Sequence, residues 1–147
     1  MNIFYINENP IIAARELADD HIRKMQIESA QMCSTAHWVN GSTAPYKQSH
    51  TNHPSSKWVR ESIQHYRWLI QHGLEICDEF VIRYGKSHAT EKVLLWVKDN
   101  LSLLEDKIDN AQSDKSKLQW LERYFIVAVM GDQKEEYKEL YNRLKND

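Results

Sequence analysis

"PSSKWVRESIQHYRWLIQHGLEICDEFVIRYG", residues 54–85, opens on a proline and closes on a glycine, the residue types favoured at the first turn and just past the end of a helix. On a 3.6-residue wheel Trp58, Ser62, His65, Leu69, Ile76 and Phe80 form one stripe, and Val59, Ile63, Tyr66, Ile70, Cys77 and Val81 widen it. So broad an apolar arc predicts a central helix touched on several sides. The fold is therefore built by other helices gathering around this one.

Working outward, "GSTAPYKQSHTNHPSS", residues 41–56, is polar, turn-rich and without periodicity, and it is the one long loop. Before it, Asn9-Pro10 reads as an N-cap and first helical position, and Asn40-Gly41 as a stop, which predicts a helix over about residues 10–38. "NIFYIN", residues 2–7, is a lone strand or an extended arm packed on helices. After Gly85, Thr90 caps a third long helix to about residue 110, Ser116 and Gly131 bound a fourth over 116–130, and a charged amphipathic fifth runs over 133–146. The prediction is a mainly α protein, residues 1–147 forming a single-domain bundle of about five helices with a short N-terminal extended arm.

Composition agrees with one domain. The 147 residues are 41% hydrophobic with five Trp and seven Tyr, too rich in core formers for a disordered chain. No apolar run approaches the roughly 18 residues of a membrane span, and the start does not read as a secretory signal, so no membrane partner is expected. The two cysteines, Cys33 and Cys77, lie in helical patterns, which suits a reducing cytoplasm and inert buried thiols. Net charge is −2, unlike a strongly basic nucleic-acid binder. Residues 1–60 carry six Lys/Arg against five Asp/Glu, residues 93–147 carry nine against eleven, and all seven histidines precede residue 89. An anion-binding surface is thus expected in the first two-thirds.

Within the first predicted helix, Leu17, His21, Met25, Glu28 and Met32 share a stripe. Two titratable groups then lie on an apolar face, about two turns and roughly 10 Å apart, with room for a substrate between them. A carboxylate desolvated there suits general acid–base work. Equally, Glu28 could pair with a cation from another helix while His21 is a satisfied, half-buried residue. The loop offers His50 and His53, but neither CxxC nor HExxH spacing accompanies them, so no metal and no cofactor is expected. Lys57, Trp58, Arg60, Tyr66, Arg67 and Trp68, with "RYGKSH" at 83–88, form a basic and aromatic cluster. It reads either as a phosphate- and base-contacting surface or as aromatic core with a charged edge.

"ELADDHIRKMQIES", residues 16–29, resembles the first-helix segment of the phage pyrimidine-dimer DNA glycosylases of the endonuclease V type, in which a histidine is followed seven positions later by the catalytic glutamate. The resemblance puts His21 and Glu28 in those roles. "NHPSSKW", residues 52–58, and the long helix ending in "RYGK" look like the His-Pro element, helix and Arg-Gly-Tyr ending of the wider excision family. The resemblance reaches across roughly residues 10–90 and implies a small, mainly helical enzyme. The whole chain is also similar to small phage proteins with an MNIF-like arm and comparable "HP", "W.RES" and "RYGK.H" segments, which implies a phage source and action in the host cytoplasm. In the endonuclease V type an N-terminal threonine amine, exposed by methionine removal, is the nucleophile, and the glutamate stabilises the sugar-linked intermediate. This chain begins Met1-Asn2, a pair that normally keeps its methionine, and its arm is longer, so a glycosylase that uses water activated by Glu28 fits it better than a Schiff-base lyase.

The leading expectation is a DNA-base or nucleotide N-glycosylase acting on a damaged or modified base. Glu28 is its key carboxylate, His21 a sugar or phosphate contact, and Arg60, Arg67, Lys86 and His53 substrate or DNA contacts. Trp58 or Tyr66 would stabilise an unstacked base. The competing expectation is a non-catalytic helical phage accessory protein, such as an inhibitor of a host factor, in which His21 and Glu28 are structural. Oligomeric state is open in either case.

Overall fold

The computed structural model describes residues 2–108; the helices expected over 116–130 and 133–146, and Met1 itself, lie outside the described residues. The fold is mainly α. Among the described residues there are seven helices: α1 (Pro10–Arg15), α2 (Asp19–Ile22), α3 (Met25–Val39), α4 (Pro54–Val59), α5 (Ile63–Tyr84), α6 (Glu91–Asp99) and α7 (Ser102–Glu105). No described helix is long and apolar enough to cross a membrane.

Helix α5 is the centre, with α1, α2, α3, α4 and α6 all packed against it. The broad arc is the reason: Ile63, Tyr66, Leu69, Ile76 and Cys77 are fully or almost fully buried. Gly73 marks where three helices cross most closely. A Cβ there would sit 3.0 Å from a Leu94 methyl on α6 and 3.3 Å from Ser29 Cβ on α3. Gly85 ends α5 in the left-handed region, at φ 71°, which a glycine adopts without steric cost.

Each of the three expected helices within the described residues is broken. Ser62, at φ −151° and ψ 142°, stops α4 and restarts the chain as α5, accepting a hydrogen bond from Gln64 N–H. A serine cap of this kind contributes about 1 kcal/mol. The run over 10–38 divides twice, at the extended Ala18 and again at Lys24. His21 and Glu28 therefore belong to different helices, and the single stripe read from the wheel does not exist as one helical face.

Residues 2–6 form an extended arm that pairs with no strand among the described residues. Ile3, Phe4, Tyr5 and Ile6 are all buried, so the arm is threaded into the core rather than laid on it.

Candidate active site

The arm ends at Glu28. Backbone N–H of Asn2 donates to Glu28 Oε1 at 3.0 Å, joining residues 26 positions apart. Phe4 stacks on His21 with ring centroids 4.3 Å apart, and Tyr5 stacks on Trp68 of α5 at 4.7 Å. Trp68 in turn stacks on His72 and donates its indole N–H to Glu8 O, while His72 Nδ1–H donates to Pro10 O. Burial lowers the His72 pKa to about 4, so the ring stays neutral and serves as a donor only. Through these contacts α5 holds the arm along its whole length and brings the nitrogen of Asn2 to a half-buried carboxylate.

His21 supports the arm: it is 7% exposed, with Phe4 stacked against its ring. Its helix is locked by the last turn of α5 and the residues just after it. Arg83 Nη1 donates to Leu17 O at 2.7 Å and to Asp19 Oδ1 at 3.0 Å, and Nη2 donates to Arg15 O at 3.0 Å. The planar guanidinium thus satisfies carbonyls that the break between α1 and α2 releases. Arg23 Nε–H donates to Tyr84 Oη, and His88 Nε2–H donates to Arg23 O. "RYGKSH" is accordingly a clamp on residues 15–23, and only Lys86 within it is a fully exposed cation.

The loop before α4 supplies the other wall. Thr35 Oγ1 on α3 donates to Ser49 O and accepts from Ser49 N–H, both at 3.1 Å, pinning the loop alongside α3. Arg60 Nη2 donates to Thr51 O at 2.7 Å. Between these pins His50 adopts φ 47°, an uncommon backbone state for a non-glycine residue, and its carbonyl accepts from His53 N–H at 3.1 Å. His53 caps α4 by accepting Ser55 N–H on Nδ1 at 3.1 Å. Burial lowers the His53 pKa, positive charge at the neighbouring His50 acts in the same direction, and the Glu28 carboxylate opposes them. One helical turn along α3 from Glu28, a hollow of about 300 Å3 is lined by Ile27, Gln31, Pro45, Tyr46, Lys47 and Ser49.

Glu28 meets the arm, whereas His53 and Arg60 are both held on the loop before α4. Arg67 and Lys86 are not: they lie near opposite ends of α5, separated by roughly 28 Å at 1.5 Å per residue, so they cannot converge on one phosphate. Arg67 faces Glu105 at 3.7 Å on the surface. The expected base contacts Trp58 and Tyr66 are both 0% exposed and are corrected to core residues. Trp58 stacks face to face on His65 at 4.0 Å, and Tyr66 Oη lies 2.8 Å from His37 Nε2. An aromatic cluster serves a core and a stacking surface with the same residue types, so composition alone could not separate the two.

Asn2, Phe4 and Thr35 escaped sequence reading, and the long-range partners of Arg83 did too. Their partners are distant in the chain, and no helical or strand period connects them. The geometry at Glu28 is that of a half-buried carboxylate that accepts a backbone N–H from the arm.

Residues 1–92 match the family model described as pyrimidine dimer DNA glycosylase. No curated protein and no solved structure matches the chain. The matched span takes in the arm, the Glu28 helix, the capped loop and the clamp after α5, and with 92 of 147 residues covered the chain belongs to the pyrimidine dimer DNA glycosylase family.

Proposed function

We propose that the protein excises a damaged or modified base, a pyrimidine dimer being the first candidate, by breaking its N-glycosidic bond, with Glu28 as the key carboxylate. The observation that carries the reading is the 3.0 Å hydrogen bond from Asn2 N–H to Glu28 Oε1, which brings the start of the chain to the carboxylate. As the C1′–N bond lengthens, positive charge grows on the sugar, and a carboxylate beside it stabilises that charge and takes a proton from the attacking nucleophile. With Met1 in place the nitrogen of Asn2 is an amide and does not attack; water is then the nucleophile this reading favours, and the α-amine of Met1 is the alternative that borohydride trapping tests. Removal of Met1 would instead leave a primary amine at Glu28. Arg60 and Lys86 are the phosphate contacts, and Arg67 adds to DNA affinity farther along the duplex. Damaged DNA is preferred over a free nucleotide because the family is one of DNA glycosylases. The same reading takes the protein to be of phage origin and to act in the infected cell's cytoplasm, supported by the MNIF-like arm and the "HP" and "RYGK.H" segments.

The test is incubation with duplex carrying a single cyclobutane thymine dimer, beside undamaged duplex and free nucleotides, with alkali-labile abasic sites as the readout. Strand-specific abasic sites at the dimer are expected, with no adduct trapped by borohydride from chains whose mass includes Met1. Absence of glycosidic cleavage on dimer-containing and other modified duplexes alike would contradict the proposal.

A further inference from the structure

The hollow of about 300 Å3 beside Glu28 is walled by α3 on one side and by loop residues 45–49 on the other. Ile27, Pro45 and Tyr46 make its apolar part, and Gln31, Lys47 and Ser49 its polar part. The loop wall is fixed. Tyr46 Oη lies 2.8 Å from Thr90 Oγ1, Tyr46 O accepts the Trp38 indole N–H at 2.8 Å, and Ser49 is pinned by Thr35 through both of its backbone groups. Gln31 differs from these: it is half-buried in the opposite wall, and its amide makes no hydrogen bond among the described residues. Lys47 is exposed and in no ion pair among the described residues. On a helix of 3.6 residues per turn Gln31 falls between Ile27 and Glu28 in angle, and its Cβ lies about 5–6 Å from that of Glu28. Glu28 therefore borders the wall that Gln31 forms.

We propose that this hollow is the base subsite of the glycosylase: it receives the damaged-strand pyrimidine whose glycosidic bond is cleaved, turned out of the duplex, and Gln31 reads its pairing edge. This rests on the N-glycosylase reading. A glutamine amide offers an acceptor and a donor side by side, the complement of the N3–H and O4 of thymine or uracil. Both groups survive in a cyclobutane dimer, which is closed through C5 and C6. Ile27, Pro45 and Tyr46 supply apolar surface for the faces of a flat ring, and the Lys47 ammonium suits the adjoining phosphate. Size agrees, since about 300 Å3 is the lower end of the range for pockets that hold drug-sized molecules. Position decides for the damaged strand. A base read at its pairing edge carries C1′ across the ring, and a ring's width is comparable with the step of about 5–6 Å from Gln31 to Glu28. The bond to be broken is thus brought to the carboxylate, whereas a base of the opposite strand would place an intact nucleotide there. Unstacking costs least for a damaged base, which adds selectivity.

Gln31→Leu keeps the bulk of the side chain and removes the amide. On the dimer duplex the expected single-turnover cleavage rate is about 10- to 100-fold below wild type, the usual worth of a bidentate base contact, with the melting temperature unchanged. A rate within about threefold of wild type would overturn the subsite. The same loss is expected on a duplex that lacks the base opposite the cleaved pyrimidine; a loss that vanishes there would give the hollow to the partner base and overturn the assignment. Binding without cleavage is read by nuclear magnetic resonance, with thymidine 5′-monophosphate and its N3-methyl derivative as probes. Shifts of the Gln31 side-chain amide and of Tyr46 are expected with the first probe and not with the second. Equal shifts with both, or none with either, overturn the subsite whether or not Gln31→Leu folds. A wild-type chain that binds the first probe yet cleaves no modified duplex overturns the N-glycosylase reading and leaves the hollow a pyrimidine site.

Discussion

Single side chains carry two different duties here, and burial separates them. Glu28 and His53 are half-buried and accessible, while His37 and His72 are sealed in the core at 0% and 1% exposure. Burial lowers both core histidines from 6.5 to about 4. Because the unfolded chain binds these protons from about pH 6.5 downward and the folded chain does not, their contribution is fully present above pH 6.5 and is lost as pH falls toward 4. Each histidine adds a slope of up to about 1.4 kcal/mol per pH unit in that window. Urea unfolding should show constant stability from pH 7 to 8 and a steady fall from 6.5 to 4, and His72→Asn, which can still donate toward Pro10 O, should flatten the slope. At this scale Glu28 was singled out by the resemblance, whereas the stripe it shared with His21 is not one helical face. Its partner Asn2 was not, since a contact across 26 residues leaves no mark in local periodicity.

Among elements, α5 was read largely from sequence: its apolar arc and its stop at Gly85 hold, but it starts at Ile63 after the break at Ser62, and Pro54 opens the separate α4. The first helix was read too long. Nothing at residues 16–18 or 23–24 is a glycine or proline, so local propensity favours continuing the helix; the breaks exist because distant side chains satisfy the carbonyls they expose. Arg83 is the principal one. Arg83→Ala leaves Arg15 O and Leu17 O without that donor and removes the ion pairs to Asp19 and Glu79, with an expected loss of roughly 2–3 kcal/mol in urea unfolding. Arg83→Lys should recover little of it, because an ammonium lacks the planar fork that reaches four acceptors. Full recovery by lysine would mean that charge alone holds the corner.

For the whole molecule, function depends on long-range assembly. The arm packs on α5, the clamp at the end of α5 fixes α2, and the loop before α4 is pinned to α3, so the fold joins segments spread over residues 2–88. That span coincides with the family match over residues 1–92, which explains why membership was visible in short motifs while the geometry was not. The motifs are the points where separate segments meet. A chain with net charge of −2 has little long-range attraction for DNA, so discrimination is expected to lie in the cleavage step rather than in binding. The most direct test is therefore the single-turnover rate of glycosidic cleavage by Glu28→Gln on a thymine-dimer duplex, with DNA Kd measured in parallel. The account predicts a rate loss of about 10²-fold or more with Kd little changed. A Glu28→Gln protein that cleaves within about twofold of wild type would contradict it.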